Sequence, residues 1–375
     1  MMSERRWAWV EIDPQAVTHN VRTLRQLAGT AARLMAVVKA DGYGHGAATV
    51  ARAALAGGAD RLGVATLDEA IALREAGFEA PIHLLSEAPP DAASEVVAAR
   101  IVPTVCTKGF AIALSQAASA AGVTVPYHLK IDTGMNRIGV RAEEAADFAL
   151  WLRALPGVEM EGVFTHFATA DTLGDWEFER QVERLSNALG RMRTEGVKPT
   201  LVHAANSAAT VLRPETRLDM VRCGIAIYGL HAAPSTYGKI DLVPAMRVVA
   251  RVSFVKRIGL GEGVSYGFTY HASGPTTIAT LPLGYADGVP RLASNKMEVL
   301  IGGTRCRQVG RVCMDQLMVE VPDHLRVDVG DEAVIVGSQG GERIVMDELA
   351  DHASTINYEI ACAFGRRLER RLAGV

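Results

Sequence analysis

The chain has 375 residues, 49% apolar and 22% charged, which is enough core material for two domains or a barrel with an appendage, and too apolar for a disordered polymer. A formal net charge of -3 argues against a nucleic-acid or acidic-membrane partner. No apolar run reaches the roughly 18 to 20 residues that a bilayer span needs.

The opening, MMSERRWAWVEID, has no apolar h-region, so no signal peptide is expected. Residues 7–12 (WAWVEI) read as a short strand. Asp13 and Pro14 then mark a helix start, as N-cap and first helical residue, and Val17, Val21, Leu24 and Leu27 form its buried stripe. From Leu34 a rhythm begins. Strand-like segments fall at 34–39, 61–65, 81–85, 101–105, 125–131, 158–165, 199–203 and 218–222, with helix-like segments such as 67–77 and 143–155 between them. Continuous apolar strands alternating with amphipathic helices predict a parallel sheet. Eight such units in about 200 residues predict a closed, TIM-like (β/α)8 barrel over residues 13–240. An open doubly wound sheet fits the same periodicity. After about residue 240 the chain turns to short β-rich runs divided by Gly, Pro and Asp, with no long helical stretch until 346–354. This predicts a mainly β second domain from 241–375, joined by the N-terminal strand at 1–12. Cys106, Cys223, Cys306, Cys313 and Cys362 are odd in number and lack C-x-x-C spacing, which fits a reducing cytoplasm and no disulfide framework or zinc knot.

The chemistry gathers where barrel strands end. The run Leu34 to Val38 delivers Lys39 and then breaks into a loop with three glycines, AVVKADGYGHG at 36–46. A partly buried lysine loses proton affinity, and its neutral amine is a nucleophile that condenses with aldehydes. It also reads as a barrel-strand lysine before a capping turn. Lys130, His166, His203 and Arg222 stand at the ends of the fifth, sixth, seventh and eighth segments. Each alone reads as a snorkelling side chain or a histidine bonded to backbone. Five on one rim predict a site, because barrel loops converge there. The loops 203–210 and 222–230 offer Asn206, Ser207 and the amides of Gly224 and Ile225 for a phosphate. A rim lysine facing a phosphate cradle is what a pyridoxal 5'-phosphate (PLP) site requires.

These residues match a known family in order and spacing. AVVKADGYGHG, LKIDTGMNRIG (129–139), EGVFTHFATAD (161–171), HAANSAA (203–209), VRCGIAIYGL (221–230), GVSYGFTY (263–270), LPLGYADGVPR (281–291) and GRVCMDQ (310–316) closely resemble the alanine racemases, along nearly the whole chain. Pro290 is a small departure, since some relatives carry leucine there. The resemblance implies PLP bound through Lys39, with Lys39 and Tyr266 as the two bases on opposite faces of the cofactor, as racemisation needs. Tyr266 would come from a second subunit, so a homodimer with shared sites is implied. Arg222 would point at the pyridine nitrogen, which, facing a group that only donates, stays unprotonated. His166 would pack on the ring. Tyr43, Ser207, Gly224, Ile225 and Tyr358 would hold the phosphate. Arg137 and the Met314 amide would bind substrate, with Cys313 and Asp315 beside it. Lys130 falls where the family often carries a carbamylated lysine, and His203 and Arg291 would orient Tyr266. Tyr285, Arg311 and Ile356 would line an entrance narrowed by Tyr266 and Tyr358, fitting a side chain as small as that of alanine. The implied product, D-alanine, serves peptidoglycan or is broken down.

Three rival functions compete with this one. A metal-dependent barrel hydrolase needs a His-x-His pair after the first strand, and His45 has no such partner, so no metal is expected. A non-catalytic PLP-binding barrel lacks the second domain and its tyrosine. A racemase of broader specificity for serine, lysine or arginine often carries an export signal, which is not seen here.

Overall fold

The structure, a computed structural model, describes residues 6–373. Residues 1–5, expected to belong with the N-terminal strand, lie outside the described residues, as do 374 and 375. The chain divides into two units: Gln15–Gly42 with Ala47–Val243, and the residues through Pro14 with Tyr43–Gly46 and everything from Pro244. The boundaries expected from the sequence, near 13 and 240, left 43–46 in the barrel.

The first unit is built on eight strands: Arg33–Val37, Arg61–Val64, Ile82–Leu84, Val102–Val105, Val125–Asp132, Val158–Phe164, Leu201–His203 and Met220–Cys223. They match the eight predicted segments. Neighbours pair in parallel around the ring, the eighth against the first. Between the seventh and eighth, Asp219 N–H donates to Val202 O (3.1 Å) and Arg222 N–H to Ala205 O (2.9 Å). The barrel is therefore nearly closed, and the open-sheet alternative is set aside. Strands covered on both faces become unbroken apolar runs, and Leu34 to Val38 are all buried. Each Leu or Val side chain so buried is worth ~1.5–3 kcal/mol.

Helix starts obey local chemistry. Thr66 and Glu69 form a capping box on Leu67–Glu75, Thr107 caps Lys108–Ala121, and Asp175 caps Trp176–Thr194. In the helix Pro14–Ala28, Val17, Val21 and Leu24 are buried and Leu27 half-buried.

In the second unit Ala8–Ile12 pairs antiparallel with Met246–Arg251 and parallel with Glu369–Leu372. The sheet continues from Met246–Arg251 through Glu332–Gln339 and Glu298–Ile301 to Thr304–Arg307. A separate three-stranded sheet joins Phe254–Ile258, Thr276–Leu281 and Leu317–Val321. Two helices, Met346–Ala353 and Asn357–Ala363, come near the end. Among the described residues, no helix is long and apolar enough to cross a membrane.

Candidate active site

The residues expected to act fall in both units. In the barrel unit the first strand ends at Val37, two residues before Lys39. Immediately after Lys39 the backbone enters a left-handed turn. Ala40 (φ 52, ψ 50), Asp41 (φ 51, ψ 48) and Gly42 (φ 62, ψ 44) run into Tyr43 (φ 50) and Gly44 (φ 78). Each L-residue held so costs about 1–2 kcal/mol. Such strain survives only where the surroundings fix it. Ala40 N–H donates to Glu69 Oε1 (2.7 Å), Gly42 N–H to Val38 O (2.9 Å) and Ala47 N–H to Asp41 Oδ1 (2.9 Å). In the β-rich unit, Arg370 donates twice to Gly44 O, at 3.2 and 2.9 Å. Lys39 therefore leaves its strand on rigid backbone.

Arg222, on the eighth strand, is fully buried. Its Nη2 donates to Thr165 O (2.7 Å) and Ala204 O (2.9 Å) and lies 3.3 Å from His166 Nδ1, while Nη1 lies 3.0 Å from His203 Nδ1. Burial lowers the guanidinium to about 9, still protonated at neutral pH. His166 is held well below its usual range, by burial first and then by the charges of Arg222, Arg137, Lys130 and Lys39. It is neutral. Burial, then Arg222 and Arg137, lowers Lys130 to about 8, and its Nζ lies 5.1 Å from the centre of the Phe164 ring. Ser207 comes directly after Asn206, whose side chain caps Ser207–Leu212. Ser207 Oγ accepts from Gly224 N–H (2.9 Å) and, more loosely, from Ala226 N–H (3.5 Å), which leaves its own proton to give.

Sequence reasoning missed the barrel interior. His83, His128 and His203 offer ring nitrogens within 4.8 Å of one another. His128 Nδ1 lies 2.7 Å from His203 Nε2, and His128 Nε2 lies 2.9 Å from Glu161 Oε2. Both nitrogens of His128 and of His203 are thus already engaged, so these two belong to a hydrogen-bonded chain and not to a metal nest, while His83 stands beside it with Nε2 3.3 Å from Thr104 Oγ1. The signal was present: three barrel strands each carry one histidine in an apolar run, PIHLL, VPYHLKI and PTLVH. The engagement also corrects one expectation. With Nδ1 taken by Arg222 and Nε2 by His128, His203 has no ring atom left to orient Tyr266.

In the β-rich unit Tyr266 is 71% exposed, on a tight turn entered by Ser265 at φ 65. Ser265 Oγ–H donates to Arg311 O (2.6 Å) and lies 3.3 Å from Cys313 Sγ. Ser265, Tyr266, Phe268, Cys313, Met314 and Asp315 border a cleft of about 450 Å³. Its far wall is fixed by backbone: Tyr285 N–H donates to Cys313 O and Ala286 N–H to Met314 O, both at 3.0 Å. A side chain at Gly284 would place a carbon 2.2 Å from Cys313 O, so only glycine permits this approach. Arg367 ties Asp315 (2.6 Å) to fully buried Asp287 (3.4 Å). The rings of Tyr43 and Tyr358 lie 6.2 Å apart. Ile356 and Tyr285 are exposed. Arg291 is exposed as well, and among the described residues its guanidinium makes no hydrogen bond, so the orienting role expected of it is not seen.

The comparisons with known proteins agree along the whole chain. Residues 12–232 match the family profile "Alanine racemase, N-terminal domain", and residues 245–372 match "Alanine racemase, C-terminal domain". An alanine racemase from Desulfovibrio desulfuricans is 46% identical, over 99% of each chain. The solved alanine racemase of Streptomyces lavendulae superposes with a TM-score of 0.93 at 39% identity, covering 99% of this chain and 98% of the other. A histidine racemase from Leuconostoc mesenteroides shares the fold at 31% identity and a TM-score of 0.90, over 99% of each chain. Both parts of the chain, in their order and in their fold, are those of a single family, and the chain belongs to it: the alanine racemases.

Proposed function

We propose that the protein interconverts L-alanine and D-alanine with bound PLP, Lys39 and Tyr266 moving the α-proton on opposite faces of the substrate. One observation carries this most: four cations, Arg222, Arg137, Lys130 and Lys39, converge on neutral His166. Such a cluster suits anions, and a phosphate, a phenolate and a substrate carboxylate are anions of that kind. The donors fit the group. Ser207 keeps a proton for a phosphate oxygen beside the amides of Gly224 and Ile225. PLP, when bound, supplies the aldehyde that takes the amino group and a conjugated ring that spreads the charge left as the α-proton departs.

The chain's residues do the rest. Arg222 only donates, so it suits a bare ring nitrogen and discourages its protonation. That limits how far charge accumulates in the ring and so restrains side reactions. Lys39 takes or gives the proton on one face. Tyr266, exposed in the β-rich unit, serves the other face from a second copy of the chain, which makes the working form a homodimer. The Met314 N–H has no acceptor among the described residues and suits the substrate carboxylate, with Arg137 from the barrel and Asp315 steadying the loop. At about 8, Lys130 keeps a neutral fraction that takes up carbon dioxide, and the carbamate would turn a repelling Lys130–Arg137 pair into an attracting one.

The test is incubation with PLP and L-alanine, then chiral chromatography, with L-serine, L-lysine, L-arginine and L-histidine alongside. D-alanine should form fastest. Equal or faster turnover of another amino acid would move the assignment to that substrate.

A further inference from the structure

The barrel interior holds a chain of polar groups whose direction is fixed at both ends. A guanidinium only donates, and an ionised carboxylate only accepts. Arg222 Nη1 lies 3.0 Å from His203 Nδ1, so that nitrogen carries no proton. A neutral His203 then bears its proton on Nε2, which donates to His128 Nδ1 at 2.7 Å. His128 in turn bears its proton on Nε2, which donates to Glu161 Oε2 at 2.9 Å. Arg61 closes the far end with two N–H groups on the same carboxylate, Nη1 at 2.8 Å from Oε2 and Nη2 in close contact with Oε1. Turning either ring to its other tautomer would set donor against donor.

The surroundings support this arrangement. Burial keeps His128 and His203 neutral, the pull of Glu161 on His128 notwithstanding. Burial by itself would raise the Glu161 carboxyl, but hydrogen bonds from His128 and Arg61, with their charge, outweigh it and hold the group at about 2. Gly162 makes room for the ring: a Cβ there would sit 2.7 Å from His128 Cε1. Phe164 lies parallel to His203, ring centres 4.8 Å apart.

We infer that Glu161 is a positioning residue for the rim, fixing through His128 and His203 which ring nitrogens carry protons, so that a bare nitrogen meets Arg222. The catalytic consequence rests on the reading of Arg222 as partner of the cofactor's ring nitrogen, whereas the proton pattern is a property of the barrel alone. Glu161 touches neither substrate nor cofactor in this scheme. It acts by denying Arg222 any competing donor and so keeping the guanidinium tied at its base.

The test is nitrogen-15 NMR of ring-labelled histidine in cofactor-free protein, with resonances assigned by single histidine-to-asparagine variants. In the wild type, His128 and His203 should both be protonated on Nε2. A proton on Nδ1 of His203 overturns the inference whatever the activity. In Glu161→Gln the amide oxygen is drawn to Arg61 and its NH2 faces His128, so the protons of His128 and His203 should move together to Nδ1, setting a donor of His203 against Arg222. With PLP bound, kcat for alanine should then fall about 10-fold with KM little changed. Arg61→Met keeps the carboxylate and should keep both tautomers, even at lower stability. An unchanged pattern in Glu161→Gln, or an altered pattern with unchanged kcat, overturns the positioning role. Failure of the wild type to racemise alanine would sink the functional reading and leave the NMR result to decide the tautomers by itself.

Discussion

Arg222 spends its guanidinium on two carbonyls and two imidazoles inside the barrel, whereas Tyr266 is 71% exposed and is held only through the backbone of its neighbours. The barrel unit is preorganised: the hydrogen bonds around Arg222 are fixed by main-chain carbonyls and paired rings. The tyrosine face is the reverse, with its aromatic and apolar side chains presented and its main chain fixed. A charge-handling site gains from groups that need not reorganise during reaction. A face that completes another site must leave its side chains unspent.

The widest contrast is chemical. Lys39→Ala should lower racemisation about 10⁴-fold in both directions, and borohydride should no longer fix PLP to the protein. Tyr266→Phe should cost ~10²–10⁴-fold while PLP still attaches normally. If both variants lose the cofactor, or if Tyr266→Phe keeps near wild-type rates, the division of labour between the two units fails. A smaller effect should separate main-chain from side-chain control of the tyrosine face. Gly284→Ala drives a carbon into Cys313 O at 2.2 Å and Met314 O at 2.5 Å, so the loop must move. KM for alanine should rise roughly 10-fold with the cofactor absorbance intact. The smallest effects probe the strained turn. Gly42→Ala, at φ +62 with Ala47 N 3.2 Å from the new carbon, should lose about 1–2 kcal/mol in urea unfolding. Ala40→Gly, at φ 52, should gain up to ~1 kcal/mol, because relief of strain exceeds the added chain entropy. A loss at Ala40→Gly would mean that its methyl packs better than its dihedral angle suggests.

The eight barrel strands were legible because strands covered on both faces leave unbroken apolar runs. The rim residues were legible because a charged or polar side chain closing an apolar run is out of place in a core, and Lys130, His203 and Arg222 are indeed buried. Tyr266 could be found only by resemblance: a strand-like aromatic in GVSYGFTY gives no local sign of its task. The left-handed turn was hidden, since Ala40 and Tyr43 are residues that avoid that conformation and neighbouring bonds impose it. The pairing of Glu161 with His128 was hidden, because contacts across the barrel depend on strand register, which a single sequence does not display. The assignment of 43–46 to the β-rich unit was hidden for a similar reason: three distant segments build that unit, and nothing in DGYGHG announces it.

The pairing of Ala8–Ile12 with both Met246–Arg251 and Glu369–Leu372 has a consequence for synthesis on the ribosome. This strand is made before the barrel, and both of its neighbours are made after it. While the whole barrel emerges and folds, an apolar strand with unpaired edges stays exposed, a ready template for the wrong partner. The barrel can mature as translation proceeds, but the β-rich unit can form only after release of nearly the entire chain. Conditions that slow elongation or withdraw chaperones should therefore show first as aggregation seeded by the N-terminus, with the barrel already native.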